Sequence, residues 1–156
     1  IVFDEIRVRI PVVGDLFKKL YVARFAESSS VLIRGGIPIA QALEISGHTI
    51  GSFVYRDILH EVAEKVRGGQ LMSQALMEHE EYFPLLVGQM VAVGESTGKL
   101  EALFSRIANF YTREIDDIIA NLVELIQPAL MVVIGLGVGF LFAAVLLPIY
   151  NLAQVF

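Results

Sequence analysis

Three short stretches of the sequence carry residue types that could perform chemistry. The first, Gly94-Glu-Ser-Thr-Gly98-Lys99-Leu100, has the glycines and the lysine of a phosphate-binding loop. That loop needs four residues between its glycines to wrap the phosphates, and a hydroxyl after the lysine to reach the magnesium ion. Here three residues intervene, Leu100 follows the lysine and no predicted strand precedes the stretch. The spacing therefore argues against nucleotide binding.

The other two stretches could hold metal ions. His60-Glu61-Val-Ala-Glu64 has the spacing of a zinc-protease helix, but Glu64 stands where the second histidine ligand is needed. A solvated helix face is the favoured interpretation. Glu78, Glu80 and Glu81 could bind a divalent cation through carboxylate oxygens, although an acidic run between helices is usually solvated surface, so that alternative stays open. With no cysteine to supply a thiolate, we predict no catalytic residue, no cofactor and no metal site.

The composition divides the chain into a part that carries all the charged residues and an uncharged, apolar part. Hydrophobic residues make up 55% of the 156 residues, yet every charged residue lies between Asp4 and Glu124. The uncharged stretch Pro128–Leu147 has 20 residues, which as a helix is about 30 Å long, the thickness of a bilayer core. We predict a transmembrane helix there. All 12 lysines and arginines precede it, which predicts a cytoplasmic domain and an outside C-terminus.

Small residues recur within this predicted membrane helix. Gly135, Gly139 and Ala143 are four residues apart and share one face, a spacing that lets two helix backbones approach closely in lipid. Because glycine is common in membrane helices, this face is either a packing site or a compositional coincidence. No charge lies within the helix, which argues against an ion pathway or a proton relay.

The rest of the chain shows a helical period of 3.6 and almost no strand alternation. Gly35-Gly36 and Gly68-Gly69 mark helix ends, and Gln-Ala-Leu follows each pair after four intervening residues, which predicts two equivalent helix-turn-helix corners. A kink or a fresh helix start is expected at Pro128. The predicted helices cover residues 16–33, 38–46, 58–66, 72–79, 84–96 and 99–124.

Charge also varies along the chain. Residues 57–124 hold five basic and twelve acidic side chains, within a net charge of −5 for the whole chain. Nucleic-acid binding needs clustered lysine and arginine, so this class of partner is excluded. An acidic surface could instead steer a basic protein partner, unless it serves only solubility.

Several short motifs occur in a fixed order along residues 10–152. They are Pro11-Val-Val-Gly14, Ala23-Arg24-Phe25-Ala26, Gly35-Gly36-Ile37-Pro38-Ile39, Ala42-Leu43, Phe83-Pro84, Val93-Gly94-Glu95-Ser96-Thr97-Gly98-Lys99-Leu100, Tyr111, Pro128 and Leu147-Pro148-Ile149-Tyr150. This ordered set resembles the type II secretion F protein family, the inner-membrane platform proteins of type II secretion and type IV pilus biogenesis.

Together these features predict an all-α fold, namely a six-helix antiparallel bundle followed by a C-terminal transmembrane helix. By the resemblance, residues 1–15 are a linker after a preceding membrane segment. Residues 16–124 are then a cytoplasmic six-helix domain, and residues 125–156 a transmembrane helix with a short extracytoplasmic tail. Because the chain starts at Ile1 and is shorter than a full family member, we expect a fragment of a multi-pass protein of the bacterial inner membrane.

The resemblance implies no enzymatic activity. Expected partners are a hexameric assembly ATPase, other inner-membrane assembly proteins, pilin or pseudopilin subunits and further copies of the chain. The family's Gly-Glu-x-x-Gly turn corresponds to Gly94, Glu95 and Gly98, where Glu95 either caps the next helix, the preferred interpretation, or contacts a partner. The alternative function is a membrane-anchored adaptor or signalling module that dimerises through its transmembrane helix.

Overall fold

In this computed structural model the chain forms six α-helices between residues 11 and 153, the part of the chain that the structure describes. No strand occurs among these residues, so the predicted all-α class is confirmed. The antiparallel arrangement of the bundle stays a prediction. The helices are α1 Pro11–Arg34, α2 Ile39–Thr49, α3 Phe53–Arg67, α4 Met72–Met77, α5 Leu85–Thr97 and α6 Leu100–Ala153.

Some helix bounds differ from those that the sequence predicts. Helix α1 already begins at Pro11, a residue whose fixed φ suits a first helical turn. Residues 1–10 of the predicted linker lie outside the described residues. Helix α3 begins at Phe53, five residues before the predicted start at residue 58, after an extended Ser52 at its N-cap.

The predicted sixth helix and the predicted membrane helix are one helix, α6. It continues through both Pro128 and Pro148, so the expected fresh helix start at Pro128 was wrong. A proline removes a single backbone hydrogen bond and crowds the preceding turn, and apolar membrane helices tolerate this because neighbouring groups readjust.

The chain divides into two compact units, Ile1–Asp116 and Asp117–Phe156. The second unit consists of the remainder of α6, and its side chains are almost all exposed as far as Tyr150. By length and composition, α6 is the one helix among the described residues that could cross a membrane.

An aromatic cluster forms the centre of the first unit. The ring of Phe25 makes edge-to-face contacts with Phe83 and Phe104 at centroid distances of 5.3 and 5.4 Å, and Phe83 contacts Tyr55 at 5.4 Å. All four side chains are almost fully buried. The Tyr55 hydroxyl donates a hydrogen bond of 2.9 Å to the carbonyl of Tyr82, and its burial raises the pKa of Tyr55. This cluster joins α1, α3, the segment before α5 and the start of α6.

Two of the helix ends close in the same way. At the end of α1, Gly36 has a φ of +82° and the amide of Ile37 donates to the carbonyl of Leu32 at 3.1 Å. At the end of α3, Gly69 has a φ of +92° and the amide of Gln70 donates to the carbonyl of Lys65 at 3.0 Å. Both are Schellman motifs, which need a residue in the left-handed region. The predicted pair of equivalent corners is confirmed.

Candidate interaction site

The corner between α5 and α6 is built from two glycines with different roles. Gly98 ends α5 with a φ of +67°, and the next amide, that of Lys99, donates to the carbonyl of Gly94 at 3.0 Å. A Cβ at Gly94 would lie 2.9 Å from Leu100 Cδ2 and 3.2 Å from Leu100 Cα. Gly98 therefore supplies a backbone conformation that other residues rarely adopt, whereas Gly94 lets α6 begin directly against α5.

Between these glycines, Glu95 caps a helix, but not the one that the sequence predicts. Its carboxylate accepts hydrogen bonds from the amide of Met72 at 2.6 Å, the amide of Ser73 at 3.2 Å and the Ser73 hydroxyl at 2.6 Å. These groups form the first turn of α4, whereas the predicted target was the following helix, α6. Glu95 thus ties α5 to the N-terminus of α4, where unpaired amides and the helix dipole favour a negative charge.

The position of Glu95 on α5 explains this direction. Gly88 lies seven residues earlier, hence on the same helix face, and a Cβ there would lie 2.5 Å from Met77 Cγ of α4. That face of α5 therefore packs on α4. The seven-residue spacing of Gly88 and Glu95 is a signal in the sequence that both residues face the same helix. The amides that donate to Glu95 lie 22 and 23 residues away in the sequence, and only the structure identifies them.

A surface cleft of about 550 Å³ lies beside the corner. Its apolar wall includes Ile33 and Ile39, and its polar wall includes the first turn of α6. One side is fixed by Glu101, whose carboxylate accepts a hydrogen bond of 2.9 Å from Arg34 Nε and a further one from the Arg34 guanidinium. On the other side Lys99 is exposed and has neither an ion pair nor a hydrogen bond from its side chain among the described residues. The cleft offers binding groups and no nucleophile with a neighbouring base.

Two side chains of the zinc-like stretch, His60 and Glu64, lie close to the carboxylate of Glu44. Glu44, His60 and Glu64 can bring one ligand atom each within 4.8 Å of one another. Arg67 already pairs with both carboxylates of this group: its guanidinium lies 2.7 Å from Glu44 Oε2 and also bonds to Glu64. The hydrogen bond from Arg67 holds the pKa of Glu44 below its ordinary value. His60 and Glu64 are exposed, as expected of a solvated helix face.

In the acidic run that follows α4, one of the three carboxylates forms hydrogen bonds within the described part of the chain. Glu78 accepts hydrogen bonds from Lys65 at 2.5 Å and from Gln70 at 2.8 Å, and the bond from Lys65 lowers the pKa of the Glu78 carboxyl. Glu80 and Glu81 are exposed, and their carboxylates have no partner among the described residues. The structure does not bring these three carboxylates around a single point.

The small residues of the apolar segment lie on an open surface. Gly135, Gly139 and Ala143 are exposed on α6, and a Cβ at Gly135 or Gly139 would meet nothing within 4 Å. No helix packs on this face among the described residues. Its role in helix association stays a prediction.

Comparisons with known proteins place these features in a family context. The family profile described as type II secretion system (T2SS), protein F matches residues 25–148. The type IV pilus assembly protein PilC of Thermus thermophilus is 36% identical over 151 residues, which are 97% of this chain and 37% of the relative. In Pseudomonas aeruginosa, type IV pilus assembly protein PilC is 32% identical over 97% of this chain and 40% of its own length. Type II secretion system protein F of the same organism is 33% identical over 94% of this chain and 36% of its own length.

Proposed function

We propose a function from one premise, which is that this chain belongs to the type II secretion system protein F family. In our proposal it is part of a non-catalytic platform in the bacterial inner membrane for the assembly of type IV pili or type II secretion pseudopili. The platform couples a cytoplasmic assembly ATPase to the insertion or extraction of pilin or pseudopilin subunits. The observation that carries this proposal is a family match over 25–148, which includes both the α5–α6 corner and the apolar part of α6.

The chain spans less than half the length of the curated relatives that it matches, 37% in one case and 36% in another. In the proposal it therefore contributes one cytoplasmic helical domain and one membrane helix to a multi-pass protein. The further copies, the other inner-membrane assembly proteins and the pilin or pseudopilin subunits are partners of that whole protein. Relatives named for pilus assembly and for secretion match at 32% and 33% identity in one organism, so the proposal covers both systems.

Helix α6 supports the coupling step of this proposal. Phe104, Ile107 and Tyr111 are buried in the core of the first unit. The same helix continues into the uncharged stretch that could cross a membrane. A displacement of the helical domain by an ATPase would thus act on a hydrogen-bonded segment that leads directly into the bilayer.

The charge of residues 57–124 supports a basic partner surface on the ATPase. This range holds twelve acidic side chains and five basic ones. A surface with an excess of one charge attracts partners of the opposite charge as they approach. Glu80 and Glu81 are two of the exposed carboxylates in this range that form no ion pair among the described residues, although Lys18 Nζ donates a hydrogen bond of 3.5 Å to the main-chain carbonyl of Glu80.

Affinity capture tests the proposed partner. The full chain in detergent is immobilised and offered the assembly ATPase of its own organism, at salt concentrations below and above the physiological range. We expect retention that weakens as salt rises, because exposed charge pairs are screened. The variant Glu80→Gln/Glu81→Gln should retain less ATPase, whereas the control Glu27→Gln, an exposed carboxylate on α1, should retain as much as the wild type. No retention at any salt concentration would remove the ATPase from the proposal.

Deletion of the gene that encodes the chain tests the platform function itself. We expect loss of surface pili or of the secreted protein, with restoration by the wild-type gene. A deletion strain that assembles its fibre and secretes normally would contradict the function.

A further inference from the structure

The cleft beside the α5–α6 corner has walls that the surrounding contacts hold in place. Gly94 lets α6 begin directly against α5, since a Cβ there would lie 2.9 Å from Leu100 Cδ2. Towards α1, the Glu101 carboxylate is bound by Arg34, and the Ser30 hydroxyl donates a hydrogen bond of 3.3 Å to the Glu101 carbonyl. The cleft has a volume of about 550 Å³, within the range of roughly 300–1,000 Å³ typical of binding clefts. It is therefore a preformed concave surface.

Three charged residues line this cleft, namely Glu95, Lys99 and Glu101. The Glu95 carboxylate accepts hydrogen bonds from the first turn of α4, and the Glu101 carboxylate pairs with Arg34. Lys99 is exposed, and its ammonium group has no ion pair or hydrogen bond among the residues that the structure describes. A partner that covered Lys99 without supplying a negative charge would bury an unpaired cation, which is costly. The cleft therefore favours a partner that brings its own negative charge.

Another part of the cleft wall is aliphatic. Ile33 at the end of α1 and Ile39 at the start of α2 are half-buried, and both pack against the core of the first unit. Ala102, in the first turn of α6, adds a small, exposed side chain. Because burial of apolar surface stabilises a complex, a partner gains most from a large apolar side chain next to its negative charge. A free phosphate would leave this wall uncovered.

The corner is remote from the point where α6 leaves the first unit. Helix α6 leaves this unit at Asp116, about 24 Å along its axis from Leu100 at the corner. In the proposed function, α6 continues from Asp116 towards the bilayer. A lipid headgroup is therefore not the source of the negative charge, and a carboxylate of a protein in the cytoplasm is.

We propose that the cleft is the docking site for an acidic and apolar segment of the assembly ATPase. A carboxylate of this segment pairs with Lys99, and a neighbouring large apolar side chain packs on Ile33 and Ile39. This inference rests on the proposed function, and it assigns to the ATPase a second contact besides the one with Glu80 and Glu81.

The two contacts lie at opposite ends of α5. Glu80 and Glu81 precede this helix and Lys99 follows it. The helix has 13 residues, which is a length of about 20 Å. Contacts of opposite charge at that separation fix the orientation of the ATPase on the helical domain, because a reversed ATPase would place like charges together at both ends.

Affinity measurements with cleft variants test the docking site. The dissociation constant of the full chain in detergent with the assembly ATPase of its own organism is measured by biolayer interferometry. Lys99→Glu should weaken binding about tenfold, because repulsion replaces an attraction, whereas Lys99→Arg should bind like the wild type. Ala102→Phe should weaken binding about as much, because the larger side chain fills the cleft. Arg113→Glu, at another exposed cation of α6, is the matched control and should bind as tightly as the wild type.

The unfolding temperature separates a lost contact from a lost fold. Lys99 and Ala102 are both exposed, so Lys99→Glu and Ala102→Phe should unfold at the temperature of the wild-type chain. Wild-type affinity in both of these variants would overturn the docking site and leave the proposed function standing. An ATPase that the wild-type chain does not bind would remove the ATPase from the proposed function and the docking site with it.

Peptide binding identifies the docked segment. Overlapping peptides that cover the ATPase sequence are immobilised and offered the full chain. We expect a bound peptide with aspartate or glutamate next to a large apolar residue, and we expect the Lys99→Glu chain to lose this peptide. If the wild-type and Lys99→Glu chains bind the same peptides equally well, the assignment of an acidic segment to this cleft is wrong.

Discussion

Glu95 shows how one side chain can determine the stability of a neighbouring helix. Helix α4 has only six residues, far fewer than a helix needs to persist alone. Its N-cap residue, Leu71, has no oxygen on its side chain to accept the first amides, and Glu95 supplies that oxygen from α5. Each of the three specified positions of the Gly-Glu-x-x-Gly turn thus has its own structural role. Gly94 allows the close approach of α6, Glu95 caps α4, and Gly98 adopts the left-handed conformation that ends α5.

Replacement of Glu95 by alanine should destabilise the helical domain by about 1–2 kcal/mol, because the amides of Met72 and Ser73 lose their acceptor. The free energy of unfolding, followed by near-ultraviolet circular dichroism of the full chain in detergent, measures this. Glu95→Gln should cost less, since its amide oxygen can still accept one bond. Glu27→Ala, at an exposed carboxylate with no partner among the described residues, is the control. A cost for Glu95→Ala no larger than that of the control would show that the cap adds nothing to stability.

At the scale of the helices, three helix ends are closed by a glycine in the left-handed conformation. Gly36, Gly69 and Gly98 all have positive φ, and a Cβ at any of them would meet nothing within 4 Å. Contacts with neighbouring residues therefore play no part at these positions, and only the backbone conformation requires glycine. Gly94 differs, because there the neighbouring helix occupies the space that a Cβ would need.

Alanine at Gly36, Gly69 or Gly98 should cost about 1–2 kcal/mol in each case, the penalty of a left-handed residue with a Cβ. Because the surroundings are open at all three positions, we expect three similar values. Thermal and denaturant unfolding of the three single variants checks this, with Glu27→Ala, at an exposed carboxylate on α1, as the control. A value several times larger at one position would indicate that its turn makes contacts beyond the backbone conformation.

Local signals account for what could be predicted about these elements. The helical period and the paired glycines indicated the number of helices in the domain and the equivalent ends of α1 and α3. The start of α3 was concealed because Phe53, an apolar residue at the first helical position, is 59% exposed. Its ring lies under the Arg56 guanidinium at 4.9 Å, so the expected amphipathic pattern is broken there.

The contacts of the candidate site were less predictable, because they join residues far apart in the sequence. Glu101 meets Arg34 across 67 residues, and Glu95 meets Met72 across 23. A pattern among neighbouring residues cannot predict contacts between residues this far apart in the sequence. The continuity of α6 through Pro128 was missed for a different reason, since the tolerance of a proline depends on its environment and not on its neighbours in sequence.

At the scale of the whole chain, charge separates the two units. Every charged side chain lies at or before Glu124, and 32 residues without charge follow. Solvation alone accounts for this division, because charged groups are costly within a bilayer while an uncharged, fully exposed apolar helix is costly in water. The exposed residues of the second unit are therefore expected to face lipid or other membrane helices.

Two arginines in the middle of the apolar stretch should prevent its insertion. Leu136→Arg and Phe140→Arg each replace an apolar side chain by one that costs about 2.5–3.5 kcal/mol at a helix centre, and together they outweigh the gain from the remaining apolar residues. We expect the wild-type chain to stay in the membrane fraction after alkaline carbonate extraction and the double variant to leave it. The conservative pair Leu136→Val and Phe140→Leu should behave as the wild type, and equal retention of the arginine variant would contradict membrane insertion through this stretch.

The same charges predict the orientation of the inserted chain, since loops rich in lysine and arginine favour the cytoplasmic side and all 12 of these residues precede the apolar stretch. In intact cells a maleimide that cannot cross the inner membrane should label Gln154→Cys and leave Glu27→Cys unlabelled. Opening the inner membrane should make both sites reactive, which controls for buried thiols. Labelling of Glu27→Cys alone in intact cells would mean that the helical domain lies outside, where a cytoplasmic ATPase could not reach it.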